Sequence, residues 1–225
     1  MKRILAAIIA AALLLSGCTS ASRPAESAPP TEMPSPSPTP VVTPTPEPEP
    51  ADDELVLVRD YIPGIFIDLK YATTDNFTGR VIYDSDEAYL RYGTVKKLLC
   101  AQNELSGRGL SLKIWDAYRP VSAQFKLWEI CPNPVYVSDP NNGYSKHSRA
   151  NTVDITLVTD TGKSIPMPSG FDDFTSLADR DYSDVSDEAA ENARLLENVM
   201  VENGFVPYSG EWWHYSDSVA YDVYG

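Results

Sequence analysis

The chain has 225 residues, and 32 acidic side chains outnumber 18 basic ones, which gives a formal net charge of −14 at pH 7. This excess of negative charge argues against nucleic acid or anionic lipid headgroups as partners, because both would repel the protein. Only two residues are histidines and three are cysteines. A site built from imidazole or thiol groups therefore has few possible positions.

The N-terminus has the pattern of a secretory signal. Two basic residues precede an apolar run over residues 4–15 that is too short to be a comfortable membrane span. The run ends in Leu-Ser-Gly-Cys, which is similar to a bacterial lipobox and makes Cys18 the lipidated first residue of the mature chain. An ordinary signal peptide that contains a cysteine is the alternative. We expect residues 1–18 to be a lipoprotein signal peptide and the mature protein to be extracytoplasmic, attached to the membrane by this lipid anchor only.

Residues 19–53 have the composition of a tether. Eleven of the 19 prolines lie between positions 24 and 50, interleaved with Ser, Thr and Glu. Without apolar periodicity to bury, this segment is predicted to be disordered, extended and semi-rigid. At about 3.1 Å per residue in polyproline II, roughly 30 residues reach on the order of 90 Å. Such a reach suits a domain held away from a membrane surface.

Residues 54–225 are long enough for one compact domain with its own core. Strands are predicted where apolar residues alternate or β-branched residues cluster, and helices where apolar residues recur three or four positions apart. In chain order, we predict a strand over 64–72, a helix over 94–105, a strand over 110–116, a helix over 121–130, a strand over 152–158, a helix from its cap at Ser186 to Asn203, and a closing hairpin of GFVPY and EWWHY. Helices and strands mix without a regular βαβ rhythm, which favours an α+β fold with a central antiparallel sheet flanked by helices.

Two cysteines, Cys100 and Cys131, lie in this predicted domain. Export permits a disulfide between them. A single pair without a recognisable spacing is weak evidence, so the question stays open.

Both histidines lie close in sequence to carboxylates. His147 and Asp154 belong to SKHSRANTVDITL, and His214 belongs to GEWWHYS. A catalytic zinc takes three such ligands and leaves a fourth place for water. Residues seven apart face opposite sides of a straight strand, so His147 must lie in the loop before the strand that carries Asp154. The competing interpretation is a structural, hydrogen-bonded role for each histidine.

Two further residues are placed to assist such a metal. Glu211 precedes His214 by three residues, where its carboxylate can take a proton from the water that attacks the substrate. Arg119, in IWDAYRP, follows a strand and precedes a proline, which suits a guanidinium aimed at a carboxylate or a developing oxyanion. A surface salt bridge is the alternative for Arg119.

Four motifs together resemble the zinc D-alanyl-D-alanine dipeptidases of the vancomycin-resistance type, within the M15-like D,D-peptidases. They are YATTDNFTG, IWDAYRP, SKHSRANTVDITL and GEWWHY, and they occur in the family's order. The likeness covers nearly all of residues 56–215. It implies that residues 54–225 form a zinc D,D-dipeptidase domain that binds one zinc ion.

The resemblance also implies a role for individual residues. Ser145 occupies a family pocket position, and Asp172, in SGFDDF, matches an aspartate implicated in binding the substrate's ammonium group. The remaining matches are the zinc ligands His147, Asp154 and His214, the general base Glu211, and Arg119, which stabilises the tetrahedral intermediate.

This chain departs from the family pattern in two places. Ala150 stands where the family usually has glycine; if that backbone needs a positive φ, alanine costs about 1 kcal/mol there. The segment between Arg119 and His147 also looks shorter than in the resistance enzymes, which admits longer substrates if that segment roofs the pocket. The predicted export is a third contrast, because the resistance dipeptidases act in the cytoplasm.

The sequence therefore predicts a zinc metallopeptidase that hydrolyses D-alanyl-D-alanine outside the membrane. One alternative is a D,D-carboxypeptidase that trims peptidoglycan stem peptides. Another is a non-catalytic wall-binding domain that retains the fold. The complete set of site residues argues against this last alternative.

Overall fold

A computed structural model describes residues 48–225. The predicted signal peptide, Cys18 and most of the predicted tether lie outside the described residues. Among residues 48–225, no helix combines the length and apolarity needed to cross a membrane. Cys100 and Cys131 are both free thiols.

Seven strands and four α-helices form the described part of the chain. In chain order they are β1 (Leu55–Leu57), α1 (Val58–Tyr61), β2 (Phe66–Ile67), β3 (Tyr89–Arg91), α2 (Tyr92–Ser106), β4 (Leu110–Asp116), α3 (Val121–Ile130), β5 (Thr152–Thr159), α4 (Asp187–Glu202), β6 (Phe205–Tyr208) and β7 (Glu211–Asp217). Three 3₁₀ helices, Lys70–Ala72, Lys146–Arg149 and Ser176–Ala178, lie in the connections.

The main sheet has the strand order β2-β4-β5-β7-β6, and β1 and β3 form a separate antiparallel pair. The predicted α+β class is confirmed, but the central sheet is not wholly antiparallel, because β2 pairs with β4 in parallel. The chain between these two strands contains α2, and a crossover of that length returns the chain to the same end of the sheet. The other neighbouring strands of this sheet are antiparallel.

The strongest local patterns predicted their elements well. β4 and α3 have the predicted bounds, and β5 and α2 extend only slightly beyond theirs. Helix α4 begins after Ser186, whose hydroxyl accepts a hydrogen bond from the amide of Ala189 at 3.2 Å, as expected of an N-cap. The closing hairpin of β6 and β7 is also present.

The strand predicted over residues 64–72 is wrong in its second half. Only Phe66 and Ile67 are extended against β4, and the chain then turns into the 3₁₀ helix Lys70–Ala72. In this turn the carbonyl of Tyr71 accepts hydrogen bonds from the amides of Ile82 and Tyr83, at 2.8 and 2.9 Å. Those bonds to a distant segment replace the bonds of a longer strand. β1, α1 and β3 were not predicted from the sequence.

The two faces of the main sheet have different neighbours. On one face, Leu112 and Ile114 of β4 lie opposite Leu157 and Ile155 of β5, and all four are buried beneath α2 and α4. Each such side chain contributes about 1.5–3 kcal/mol by burial. Because side chains alternate along a strand, Asp154 is directed to the opposite face of β5.

Candidate metal centre

Pairing between β5 and β7 brings two predicted site residues together. Asp154 lies directly opposite His214 in the antiparallel ladder. Opposite residues of such a pair share one face of the sheet. Their neighbours Val153 and Tyr215 are turned into the core. The ladder therefore places the carboxylate and the imidazole side by side, although 60 residues separate them in sequence.

His147 comes from the connection before β5, as predicted. It lies in the 3₁₀ helix Lys146–Arg149, and the Ser145 hydroxyl caps this helix by accepting a hydrogen bond from the His147 amide at 3.3 Å. The helix ends at Ala150, which is fully buried and left-handed, with φ 59° and ψ 27°. The position that the family usually fills with glycine thus has the backbone that favours glycine, and alanine adopts it here.

The side chains of His147, Asp154 and His214, named here the His–Asp–His cluster, converge on one point. Nε2 of His147 lies 3.3 Å from Oδ2 of Asp154, and Nδ1 of His214 lies 3.0 Å from Oδ1. The two ring nitrogens are 3.4 Å apart. One ligand atom from each residue lies within 4.8 Å of the others, and all three residues are buried. Two imidazole nitrogens and one carboxylate oxygen fit the preferences of zinc.

The orientation of the His147 ring is set by the main chain. Its Nδ1 is 2.9 Å from the carbonyl oxygen of Ala117. A carbonyl can only accept, so Nδ1 carries a proton and Nε2 is left to face the cluster. Metal-binding histidines are commonly held by such a bond from their other nitrogen.

Charges within the cluster shift its ionisation. Burial lowers the pKa of both imidazoles, but for His147 the carboxylates of Asp154 and Asp116 outweigh burial and the pKa is raised. For His214, burial together with repulsion from His147 leaves the pKa lowered. Burial disfavours the charged form of Asp154, yet the charge and hydrogen bonds of the two histidines hold its pKa well below the usual range. Asp154 is thus ionised, as a metal ligand must be.

Glu211 lies beside the cluster rather than within it. Its Oε2 is 3.5 Å from Nδ1 of His214, and the residue is half-buried at the start of β7. Burial, followed by repulsion from the carboxylates of Asp154 and Asp172, raises the pKa of Glu211 to about 7. A carboxylate with a pKa close to neutrality is well matched to proton transfer.

Arg119 is buried, so the alternative of a surface salt bridge is wrong. Its Nε and Nη2 both donate to Oδ2 of Asp116, at 3.1 and 2.6 Å, and its Nη1 donates to Gln124. The ring of Tyr71 lies 5.0 Å from its Cζ. These contacts fix the guanidinium, and its positive charge still reaches the carboxylate of Glu211, where it favours ionisation.

Asp116 also adjoins the cluster, although it was not predicted from the sequence. It is fully buried, and its Oδ1 accepts hydrogen bonds from the hydroxyl of Tyr83 at 2.5 Å and the amide of Ala117 at 2.9 Å. Its Oδ2 lies 3.6 Å from Nδ1 of His147. Asp116 thereby connects Arg119 with the histidine. Its place in the IWDAYRP motif, at the end of a buried strand, was the available signal.

Asp172 and Ser145 lie in different settings. Asp172 has a φ of 51°, accepts a hydrogen bond from the Tyr71 hydroxyl at 2.6 Å, and borders a pocket of about 380 Å³ together with Phe77 and Phe171. Burial raises its pKa to about 7. Its charge acts on Glu211. Asp172 therefore belongs to the surroundings of the site, whereas the Ser145 hydroxyl is engaged with the His147 amide.

Comparisons with known proteins agree on one family. The family model of peptidase M15, described as D-Ala-D-Ala dipeptidase, matches residues 51–222. A D-alanyl-D-alanine dipeptidase of Escherichia coli (strain K12) is 39% identical over 162 residues, which are 72% of this chain and 83% of that protein. One from Enterococcus faecium is 35% identical over 176 residues, 69% of this chain and 87% of that protein.

Two solved structures also resemble the chain. A mutant of the vancomycin-resistance D,D-pentapeptidase VanY in complex with Zn(II) has a TM-score of 0.40 and 15% identity, over 60% of this chain and 76% of that one. VanYB in complex with D-alanine-D-alanine has a TM-score of 0.41 and 16% identity, over 69% of this chain and 86% of that one.

Proposed function

The chain belongs to the D-Ala-D-Ala dipeptidase family of M15 peptidases, which makes it a hydrolase, and from this premise we propose that it cleaves D-alanyl-D-alanine into two molecules of D-alanine with one zinc ion. The observation that carries the proposal is the convergence of the His–Asp–His cluster, whose ligand atoms lie within 4.8 Å of one another. Membership of a hydrolase family argues against the non-catalytic wall-binding domain.

The His–Asp–His cluster is proposed to hold the zinc through Nε2 of His147, a carboxylate oxygen of Asp154 and Nδ1 of His214. Three protein ligands are the number that a catalytic zinc takes. A bound Zn²⁺ supplies Lewis-acid chemistry, since it lowers the pKa of a water molecule and polarises the scissile carbonyl. The Ala117 carbonyl supports this assignment because it keeps the Nε2 lone pair of His147 directed into the cluster.

Glu211 is the proposed general base. Its carboxylate adjoins the cluster, 3.5 Å from His214, and is half-buried. It takes a proton from the water that attacks the peptide carbon, and then delivers that proton to the nitrogen of the departing D-alanine. One water is consumed: its oxygen first adds to the peptide carbon to give the tetrahedral intermediate, and the C–N bond then breaks as the nitrogen accepts the proton.

Arg119 is proposed to stabilise the negative charge that develops on the carbonyl oxygen. Its fork is held against Asp116 and Gln124, so its position is set before substrate binds. A donor held in place in a buried site stabilises developing charge without reorganisation. Asp172, held by Tyr71, is the proposed partner of the substrate's ammonium group. Ser145 is the weaker proposal for a substrate contact, because its hydroxyl already binds the His147 amide.

The test follows D-alanine release from two substrates by the purified protein. Free D-alanyl-D-alanine is compared with a stem pentapeptide that ends in D-Ala-D-Ala, each with and without removal of zinc by a chelator. We expect the dipeptide to be cleaved, the activity to disappear with the chelator and to return with zinc. Release from the pentapeptide alone would favour the D,D-carboxypeptidase. Release from neither substrate would contradict the proposed function.

We also propose that the protein acts outside the cytoplasm, anchored by a lipid on Cys18. The Leu-Ser-Gly-Cys stretch and the proline-rich segment that follows support this placement. Fractionation of cells that express the wild type and Cys18→Ser tests it. The wild type is expected in the membrane fraction and the variant outside it. A wholly soluble wild type, or a variant that stays in the membrane, would contradict the proposal.

A further inference from the structure

The β6–β7 hairpin is irregular where β7 carries the site. Pro207 lies opposite Tyr215, but the next residue, Tyr208, pairs with Glu211 instead of His214. Residues 212–214 of β7 therefore have no register partner on β6. The irregular stretch spans the interval between the proposed base and the proposed zinc ligand.

Arg180 occupies the position of the missing partner. Its Nη2 donates to the carbonyl oxygen of His214 at 3.1 Å, and its Nε donates to the carbonyl oxygen of Tyr208 at 2.7 Å. In a regular antiparallel ladder, these two residues would lie opposite each other and exchange main-chain hydrogen bonds. The guanidinium joins the two carbonyls instead, across the gap that the register shift leaves.

The arginine is itself held by several groups. Its Nη1 donates to Glu197 of α4 at 2.9 Å and to the Tyr215 hydroxyl at 3.1 Å, and its Cζ lies 4.6 Å from the centre of the Tyr215 ring. Only 10% of the side chain is exposed. Arginine is suited to this place because its planar fork holds donors at fixed angles, whereas the single ammonium of lysine does not.

We propose that Arg180 is a positioning residue that fixes His214 relative to Glu211 by binding the His214 carbonyl oxygen where β6 supplies no register partner. The inference rests on the proposed function, because it concerns the geometry of that same site. Arg180 touches neither the ligand atoms of the His–Asp–His cluster nor the Glu211 carboxylate. It acts through the main chain of β7, and its loop also carries Asp172. A purely structural role, in which Arg180 only ties its loop to α4 through Glu197, is the competing interpretation.

The test compares Arg180→Lys with Glu197→Gln in the full chain. Arg180→Lys keeps the positive charge and can still pair with Glu197, but it cannot hold both carbonyls. We expect its zinc affinity, measured by competition with a chelator, and its kcat for D-alanyl-D-alanine each to fall about 10- to 100-fold, as for other groups that orient metal ligands. KM is expected to change less than about twofold, because substrate contacts remain.

Glu197→Gln is the matched control, since it removes the ion pair with α4 and leaves both carbonyl bonds of Arg180 in place. We expect a lower melting temperature, with zinc affinity and kcat within about twofold of the wild type. Wild-type zinc affinity and kcat in Arg180→Lys would overturn the inference, and so would equal losses in Glu197→Gln. A wild type that neither binds zinc nor releases D-alanine would instead overturn the proposed function, and the inference with it.

Discussion

The two histidines of the His–Asp–His cluster are held in different ways, His147 through its ring and His214 through its main chain. The His147 ring is fixed on its side away from the cluster, because Nδ1 binds the carbonyl oxygen of Ala117 at 2.9 Å. His214 is held through its main chain, whose carbonyl oxygen binds Arg180 while its Nδ1 faces Asp154. The Ala117 carbonyl orients the His147 ring directly, whereas Arg180 orients the strand that carries the His214 ring.

This difference follows from the backbone at each place. His147 lies in a short 3₁₀ helix that ends at the left-handed Ala150, and its carbonyl oxygen accepts bonds from the amides of Arg119 and Ala150 instead of from a strand partner. His214 lies in a strand paired with β5 on one side and with an irregular ladder on the other. A ring on an irregular segment needs its own hydrogen bond. A ring on a strand needs the strand to be held, and Arg180 supplies the bond that β6 does not.

The largest expected effect is the loss of zinc, and it tests whether His147 and His214 bind the same metal ion. In His147→Ala and His214→Ala, zinc loses one of three proposed ligands, so we expect most of the bound metal and nearly all hydrolysis to be lost in both. Elemental analysis of the purified variants measures the first result and D-alanine release the second. Full zinc occupancy in either variant would show that the two histidines do not share a metal.

Glu211→Gln changes only β7, the strand that also carries His214. The amide has nearly the shape of the carboxylate but cannot accept the proton, so we expect hydrolysis to fall about 10²- to 10⁴-fold. Zinc content should stay close to that of the wild type, because Glu211 is not a proposed ligand. Loss of zinc would make Glu211 a ligand instead, and near-normal turnover with zinc present would refute its role as base.

Arg119→Ala changes the surroundings of His147, since Arg119 and His147 both adjoin Asp116. We expect hydrolysis to fall about 10²- to 10³-fold, the effect of losing one donor to a developing oxyanion, equivalent to about 3–4 kcal/mol. Thermal stability should also fall, because Asp116 keeps its buried charge without its partner. Gln124→Ala is the control, because it removes the Nη1 bond and a bond to the Ser138 carbonyl but leaves both bonds between Arg119 and Asp116. If both variants retain near-normal kcat in their folded fractions, Arg119 has no role in the reaction.

The smallest expected effect concerns the backbone that ends the His147 helix. Ala150→Gly relieves a left-handed residue of about 1 kcal/mol of strain, but it also loses a buried methyl group worth about 0.8 kcal/mol. We therefore expect the free energy of unfolding to change by less than about 1 kcal/mol. Ala193→Gly, in the middle of α4, loses the methyl without any such relief and should be destabilised by about 1–2 kcal/mol. Equal losses in urea denaturation would mean that Ala150 is unstrained.

Elements with strong local signals could be predicted from the sequence. Pro120 before α3, the Ser186 cap of α4 and the β-branched run of β5 each act within a few residues, so no distant contact is needed to recognise them. The strand predicted over residues 64–72 does depend on contacts outside the segment. Its second half is determined by main-chain bonds between Tyr71 and a segment about ten residues further along the chain.

The sequence by itself also identified the members of the candidate site. His147, Asp154, Glu211 and His214 are informative because histidine is rare here and because these residues stand in recognisable motifs. Their residue types already restrict the chemistry to metal binding and proton transfer.

Only the tertiary structure decided how these residues are held. The Ala117 carbonyl is 30 residues from His147, and Arg180 reaches carbonyls 28 and 34 residues away. Main-chain carbonyls carry no signature of residue type, so nothing in the sequence marks which of them will accept a bond from a distant side chain. Which His147 nitrogen faces the cluster, and where the β6–β7 ladder breaks, follow from how the folded sheet aligns its strands.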